Sequence, residues 1–252
     1  MNSGAGLITF VTAGTCTVTA VAAATSNYLV SGTTTFTLTI TAIPVNPQFV
    51  GSSTAGGGSP SSNDLTIPVP TGISVGDLLI AVLYTGDPAG DGGDPTTVVM
   101  PAGWTVLSNA TSPGAEPLGG ILTAYHVASA SEPASYTFNS GNFNNVTAVM
   151  LAYVNPDGST PLIDQSSWNT TMTSDALTPS TSTDTLITVY GDYNGNSLSI
   201  ASPSVSRAFV GDSPYASTLA ADQYLASAAP VPAITASGNS GQGTSVTILL
   251  KY

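Results

Sequence analysis

Residues 78–83, Leu78-Leu79-Ile80-Ala81-Val82-Leu83, are the stretch that decides the fold class. The run is short and apolar, with Gly76-Asp77 before it and Gly86-Asp87 after it. Such a run between turn residues is typical of a strand that is buried on both faces. Residues 149–154, Val-Met-Leu-Ala-Tyr-Val, have the same character. We therefore expect both runs to be central strands of a sheet.

Shorter strand-like runs recur through the rest of residues 64–252, each bounded by Gly, Pro, Asn or Asp. No segment shows a sustained helical period, and this spacing of strands and turns is typical of a large antiparallel sandwich. We predict an all-β fold, with an antiparallel, jelly-roll-like β-sandwich over residues 64–252. The predicted strands are 65–69, 78–84, 97–100, 104–107, 121–127, 135–138, 146–154, 185–190, 197–200, 217–224 and 245–250.

Threonine alternates with apolar residues near the N-terminus. Residues 15–19 read Thr-Cys-Thr-Val-Thr, and Phe36, Leu38 and Ile40 are separated by threonines. This alternation predicts a small β-ribbon with threonine on its wet face. Residues 44–63 are rich in Pro, Gly and Ser, which predicts a flexible connector. The expected organisation is a ribbon over 1–43, a connector over 44–63 and a sandwich over 64–252.

The N-terminal ribbon resembles the last strands of bacterial Ig-like repeats. The resemblance lies in residues 14–20, in Asn27-Tyr28 and in residues 36–41. The front strands of such a repeat have no counterpart after Met1, so the resemblance implies half a sandwich with an open edge. Because an open edge exposes unpaired backbone groups, we expect a partner to cover it. That partner is the C-terminal domain, a copy of the same chain or a neighbouring protein, and Phe36, Leu38 and Ile40 are the candidate assembly residues.

Residues 64–252 resemble modules of phage structural proteins and actinobacterial surface proteins. These modules are architectural, so the resemblance implies a jelly-roll display or carbohydrate-binding module with no assigned chemistry. The residues that carry it are 76–80 (Gly-Asp-Leu-Leu-Ile), 101–105 (Pro-Ala-Gly-Trp-Thr), 124–128 (Ala-Tyr-His-Val-Ala), 132–138 (Glu-Pro-Ala-Ser-Tyr-Thr-Phe), 221–223 (Ala-Asp-Gln) and 246–251.

The charge of the chain excludes whole classes of partner. Charged residues make up only 6% of the sequence, and the formal net charge is −12 because Arg207 and Lys251 face 14 acidic residues. Nucleic acid and anionic membranes both draw affinity from several basic side chains, so we expect neither as a partner. Cys16 is the single cysteine, which excludes an internal disulfide. The uncharged N-terminus lacks the positive segment of a secretory signal.

The sequence offers little for catalysis, and we expect no enzymatic activity. His126 is the only histidine and lies within a predicted strand, without a Gly-x-Ser-x-Gly elbow in the chain. Glu116 and Glu132 are the only glutamates, and each precedes a proline in a predicted loop. A carboxylate at a strand margin typically accepts hydrogen bonds from turn amides. We expect that structural role for Asp77, Asp164, Asp184 and Asp222.

An acidic loop is the candidate metal site. Asp87, Asp91 and Asp94 lie in a glycine-rich stretch between two predicted strands. Calcium prefers carboxylate and carbonyl oxygens, and glycines let carbonyls turn inward. The spacing matches neither an EF-hand nor a β-roll repeat, so a solvated hairpin loop is the alternative to calcium. Zinc is disfavoured by the single His and single Cys.

Three aromatic residues are candidate ligand contacts, since exposed rings stack on sugars. Trp168 and Tyr193 are predicted in polar loops, and Tyr215 follows a Ser-Pro pair. Trp104 begins a predicted strand and is expected to cap the core.

These features favour a structural protein of a virus particle: a capsid decoration, head fibre or tail-associated protein on the virion surface. Its partners would be other virion proteins or copies of itself, with a host-surface glycan as a further candidate. The alternative is a carbohydrate-binding or adhesive module of a bacterial surface protein, which would be extracellular. A polysaccharide-active enzyme is the weakest reading.

Overall fold

The fold is all-β, as the sequence predicts. The computed structural model describes residues 14–21, 25–27, 29, 32–40, 46–56, 64–86, 97–111, 119–139, 146–155, 163–212, 216–238 and 243–251. Fourteen β-strands are its regular elements. None of these residues belongs to a helix that is long and apolar enough to cross a membrane. The chain forms two compact units, Met1–Pro44 and Val45–Tyr252.

The first unit contains a two-stranded antiparallel ribbon. Strand β1 (Gly14–Ala20) pairs with β2 (Thr34–Ile40). The register places Val18 opposite Phe36 and Thr17 opposite Thr37. Apolar and threonine positions therefore alternate on both strands, in agreement with the predicted ribbon.

The second unit contains two five-stranded antiparallel sheets. Sheet I has the order β3-β9-β5-β7-β6, and sheet II has the order β10-β14-β11-β13-β12. Strands β4 and β8 form a separate pair. The strands are β3 (Phe49–Gly56), β4 (Asp64–Pro68), β5 (Leu78–Thr85), β6 (Thr105–Thr111), β7 (Gly120–Val127), β8 (Ser135–Asn139), β9 (Val146–Tyr153), β10 (Ile163–Asn169), β11 (Thr185–Asp192), β12 (Val205–Asp212), β13 (Ala216–Tyr224) and β14 (Gly243–Leu250).

Strand β5 shows why its sequence is apolar throughout. Ile80 and Tyr84 belong to the core between the two sheets, whereas Leu79 and Leu83 belong to a second core that also contains residues of β4 and β8. Both faces of the strand are therefore buried, and the alternation of a half-exposed strand is lost. Strand β5 is the middle strand of sheet I and β9 lies beside it, which confirms both predicted central strands.

The outer face of sheet II is covered by irregular segments. Leu177 bridges to Val231 and Thr173 bridges to Thr235 in antiparallel fashion. Smaller apolar clusters lie in this layer, one of them around Tyr190 and Leu198. Thus the sandwich has two main sheets with an additional layer on the outside of each.

The predicted connector is wrong over part of its length. Residues 49–56 form β3, which pairs with β9 at the edge of sheet I, while residues 57–63 lie outside the described part of the chain. Small polar residues fit here because an edge strand is only partly buried. The hydroxyls of Ser52 and Ser53 donate hydrogen bonds to the carbonyls of Arg207 and Pro68.

Other strand boundaries also differ from the prediction. Strands β10 and β12 were not predicted from the sequence, and both are edge strands of sheet II. Residues 97–100 and 197–200 were predicted as strands but form only single bridges, at Val99 and Ser199. The predicted β-sandwich is confirmed, but its strand order is not that of a jelly roll, in which strands alternate between the sheets, because each main sheet is built from one contiguous half of the chain.

Candidate functional site

The N-terminal ribbon presents apolar side chains to solvent. Phe36 is 66% exposed and Leu38 is 38% exposed, whereas Val18, opposite Phe36, is half-buried. Ile40 ends β2, and its side chain lies outside the described part of the structure. The threonines on the opposite face, such as Thr37, are exposed as well. Two of the three candidate assembly residues are therefore accessible to a partner.

The two ends of the sandwich have different surroundings. Strands β5 and β11 begin at one end, where the Asn46 side-chain amide donates to the carbonyls of Asp184 (2.7 Å) and Leu225 (3.0 Å). We call this the entry end, because the chain enters the sandwich at Asn46. The opposite end, where β5 ends at Thr85 and β11 ends at Asp192, is the far end.

The candidate ring contacts lie at the far end, as far as the structure describes them. Trp168 is in strand β10 opposite Val246, so the predicted loop is wrong at this position, and its side chain is outside the described part. Tyr193 is half-buried in the turn that follows β11. The backbones of Trp168 and β11 are separated by β14, a distance of about 10 Å at the usual strand spacing. Tyr215 lies outside the described residues.

Asp192 organises the turn that carries Tyr193. It is fully buried, and its Oδ2 accepts hydrogen bonds from the Asn196 side chain at 2.8 Å and from the Asn194 amide at 3.2 Å. A carboxylate that binds turn amides in this way fixes the backbone conformation. Tyr193 therefore lies in a pre-organised turn.

The candidate calcium ligands Asp87, Asp91 and Asp94 all lie outside the described residues. Within the described residues, no three His, Cys, Asp or Glu side chains are grouped closely enough to hold a metal ion. Calcium binding by the acidic loop stays a prediction.

A cluster at the entry end contains the only histidine. Nδ1 of His126 lies 2.9 Å from the Gly103 carbonyl, and Nε2 lies 3.3 Å from Oε2 of Glu132. The rings of His126 and Trp104 stack with centroids 5.5 Å apart. Trp104 is only 8% exposed and belongs to the core, which confirms the predicted capping role.

Glu132 is the centre of this cluster. Its carboxylate accepts hydrogen bonds from the Tyr136 hydroxyl at 2.6 Å and the Ser129 amide at 2.8 Å. Burial by itself would raise the pKa of Glu132, but these donors and the nearby His126 ring hold that pKa below its ordinary value. Burial and Glu132 raise the pKa of Tyr136. The described hydrogen bonds of His126 reach a carbonyl and a carboxylate, an arrangement that holds a loop in place.

A second charged cluster joins the two sheets. Arg207 Nε donates to Asp222 Oδ1 at 2.7 Å, and the Tyr153 hydroxyl donates to Asp222 Oδ2 at 3.0 Å. The guanidinium also lies 4.5 Å from the ring centroid of Phe49. Asp222 was predicted to bind turn amides, and this is wrong because it lies within β13 and pairs with Arg207 of β12. The amide role is confirmed for Asp77 and Asp184, and the side chain of Asp164 lies outside the described part.

A groove of about 320 Å³ lies beside the end of β13. Its lining carries no charged residue and includes the amide side chain of Gln223 and the partly exposed ring of Tyr224. The groove is small and largely apolar.

Comparisons of the chain with protein-family models, with curated proteins and with solved structures find no match. The function therefore has to be argued from the residues of this chain.

Proposed function

We propose that this chain is a non-enzymatic structural protein on the surface of a virus particle, in the role of a capsid decoration, head fibre or tail-associated protein. In this proposal the ribbon β1–β2 attaches the protein to the particle, and the β-sandwich is displayed. The observation that carries the proposal is the exposure of Phe36 and Leu38 on a ribbon that, in its described residues, has two strands.

Such a ribbon gains stability from a partner. An isolated two-stranded hairpin is marginally stable in water. Covering a large apolar side chain such as Phe36 contributes about 1.5–3 kcal/mol. Residues 1–63 contain no Asp, Glu, Lys, Arg or His, so a contact there removes no charge from water. The ribbon is thus suited to a dry interface with a virion protein or with a second copy of the chain.

The sandwich is suited to display. All 14 acidic residues lie in residues 64–252, and the resulting negative charge keeps neighbouring copies apart. Within the sandwich, Asn46 lies at the entry end and Tyr193 follows β11 at the far end. The resemblance of residues 64–252 to phage and actinobacterial surface modules supports the same proposal.

The attachment step is tested by adding one charge to either face of β2. Phe36→Asp is expected to lower association at least tenfold, because the buried charge would be unpaired. Thr37→Asp adds the same charge on the opposite face and is expected to associate like the parent chain. Sedimentation velocity of the full chain measures self-association. Binding to gradient-purified virus particles measures attachment to another virion protein.

The proposal also requires the protein to be a constituent of particles. Mass spectrometry of such particles is expected to find it at a fixed ratio to the major capsid protein. Its absence from particles, or equal association of the Phe36→Asp and Thr37→Asp variants, would contradict the proposal.

A second candidate is a carbohydrate-binding or adhesive module of a bacterial surface protein. The observation that favours it is the turn in which Asp192 fixes the backbone around Tyr193. In a glycan array this candidate predicts binding that Tyr193→Ala removes and that Phe36→Asp leaves unchanged. An array with no bound glycan would contradict it.

A further inference from the structure

The two main sheets are built according to one plan. Repeat 1, residues 46–155, supplies sheet I with β3, β5, β6, β7 and β9, and repeat 2, residues 163–251, supplies sheet II with β10 to β14. With each set numbered along its own sequence, both sheets have the order first-fifth-second-fourth-third. The bridges Val99–Asn139 and Ser199–Ser237 also occupy corresponding places.

The agreement extends to the register of individual residues. Leu78 begins β5 and pairs with Val127 and Tyr153, while its counterpart Thr185 begins β11 and pairs with Tyr224 and Leu250. From these pairs the paired strand positions of one main sheet can be assigned counterparts in the other. Tyr84, six residues into β5, corresponds to Gly191.

The irregularities correspond as well. The first pairs of β3 and β10 are each followed by a one-residue shift of register. A second shift occurs in β6 at Leu107 and in β12 at Arg207, and these two residues are counterparts. The carbonyls of Asp77 and Asp184 accept from the amides of Ala128 and Leu225, again in corresponding places. Bulges are local features, so their coincidence indicates a shared construction.

Most contacts between the sheets occur in exchanged pairs, whereas those of β12 with β9 and of β13 with β5 have no counterpart of similar extent. Strand β3 packs against β12, and the counterpart of β3, β10, packs against the counterpart of β12, β6. The same holds for β9 with β13 and for β14 with β7. The central strands β5 and β11 contact each other. An approximate two-fold axis that runs between β5 and β11, parallel to the strands, produces this pattern.

Because a two-fold axis exchanges the two repeats, a residue of one repeat that lies near the axis also lies near its counterpart in the other repeat. The ring of Tyr84 is fully buried and lies directly against Gly191, where a Cβ atom would overlap the ring. A Cβ at Gly119 would likewise overlap the Tyr84 hydroxyl. Two tyrosines could not occupy the space that Tyr84 and Gly191 share. The pair is therefore a large residue fitted to a small counterpart across the axis.

We infer that the sandwich is an intramolecular dimer: the inner face of each repeat is an interaction surface whose partner is a second copy of the same unit. Tyr84 and Gly191 make the two inner faces unequal, because the large residue belongs to repeat 1 and the small one to repeat 2. This inference goes beyond the proposed function, which needs only a displayed sandwich of any construction. It also places corresponding turns of both repeats at the same end, since the axis is parallel to the strands.

The first experiment exchanges the large and small residues. Tyr84→Gly is expected to lower Tm by opening a cavity, and Gly191→Tyr is expected to lower it further by a clash. Ala216 is the counterpart of Gly119, so Gly191→Tyr is made together with Ala216→Gly to leave room for the new hydroxyl. The combination of all three changes is expected to recover at least half of the summed loss of Tm. Tyr84→Gly with Gly56→Tyr, which is not its counterpart, is the control and is expected to show additive losses.

The second experiment exchanges the order of the repeats without adding or removing a residue. The reordered chain reads 1–45, 163–251, 156–162, 46–155 and 252. Around a two-fold axis, the distance from Leu250 to Phe49 equals that from Tyr153 to Ile163, because these residues are counterparts. The parent chain spans the gap with residues 154–162, and the reordered chain spans it with 251, 156–162 and 46–48, so it is long enough. Cooperative unfolding close to the parent Tm, and the same circular dichroism spectrum, are expected. Recovery in either experiment supports the intramolecular dimer, whereas additive losses together with a reordered chain that does not unfold cooperatively would overturn it.

Discussion

Arg207 is the extra residue of the bulge in β12, and the bulge directs its side chain to Asp222 on the neighbouring strand. Asp222 is 1% exposed, and its burial raises the pKa of the carboxyl, an effect that Arg207 and Tyr153 oppose by donating hydrogen bonds. Because the folded-state pKa lies above the unfolded one, the stability linked to protonation is fully present below the unfolded pKa. It is lost as pH rises through the folded pKa.

Arg207→Met is expected to destabilise the protein by about 3–5 kcal/mol at pH 7, because a buried carboxylate loses its partner. The loss is expected to be smaller at pH 4 than at pH 7, because burial raises the pKa of Asp222 and the variant lacks the guanidinium that opposes this rise, so the carboxyl takes up a proton more readily. Urea unfolding at the two pH values measures both effects. Arg207→Met with Asp222→Leu is the control, and it is expected to lie closer to the parent than the single variant. A loss that is independent of pH would contradict this account of Asp222.

Thr147 and Thr244 are counterparts in the two repeats with different surroundings. The Thr147 hydroxyl lies 2.7 Å from that of Thr218 on the opposite sheet, whereas the buried Thr244 hydroxyl has no hydrogen-bond partner among the residues that the structure describes. The position that corresponds to Thr218 is Ile121, which offers no polar atom. A buried hydroxyl without a partner costs about 1–3 kcal/mol.

Thr244→Val is therefore expected to leave stability unchanged or raise it by up to about 2 kcal/mol, because it removes an unsatisfied group. Thr147→Val is the matched variant and is expected to lower stability by about 1–3 kcal/mol, since it leaves the Thr218 hydroxyl unpaired. Chemical denaturation of both variants checks the difference. Equal effects of the two substitutions would argue against it.

At the scale of single elements, the turns before β5 and β11 are built around one carboxylate each. Asp184 Oδ2 accepts hydrogen bonds from the amides of Ser180 (2.8 Å) and Thr181 (3.2 Å), and Oδ1 accepts from the Thr181 hydroxyl at 2.6 Å. Asp77 accepts from the amide of Ser74 at 2.7 Å. Both turns lead into the central strand of a sheet.

Asp184→Ala is expected to be more destabilising than Asp77→Ala, because it leaves more buried donors without an acceptor. We expect a loss of about 2–4 kcal/mol for Asp184→Ala and about 1–2 kcal/mol for Asp77→Ala. The midpoint of urea unfolding measures both, with an unchanged slope as the sign of an unchanged fold. The reverse order would show that the turn before β11 has other support.

The strands were predicted correctly where the residue pattern of a single strand indicates which of its faces are buried. Strands β5 and β9 are apolar on both faces, and β2 alternates with threonine. It failed for β3, β10 and β12, because an edge strand has a mixed pattern that a loop can share. Trp168 was misplaced for the same reason, as it lies in the polar edge strand β10.

At the scale of the whole molecule, the charge of −12 acts on the sandwich, because every Asp, Glu, Lys, Arg and His lies beyond residue 63. Mutual repulsion of the carboxylates opposes compaction, and salt screens it. Raising NaCl from about 10 to about 150 mM at pH 7 is expected to raise Tm by about 2–4 °C, the equivalent of about 1 kcal/mol. Calorimetry at both salt concentrations measures the shift. At pH 3 the carboxylates are largely protonated, so a rise of the same size there would contradict the electrostatic cause.

The sequence by itself determined the all-β class, the threonine-faced ribbon, the central strands and the buried role of Trp104. Each of these follows from the side chains of one short segment and the faces on which they are buried. Only the tertiary structure decided which segments meet: Arg207 with Asp222, His126 with Glu132 and Tyr136, and Tyr84 with Gly191. The equivalence of the two repeats was also decided only by the tertiary structure, since the repeats agree in strand order and register more than in residue type. Register and sheet packing join residues that are far apart in the chain, so no local pattern of the sequence contains them.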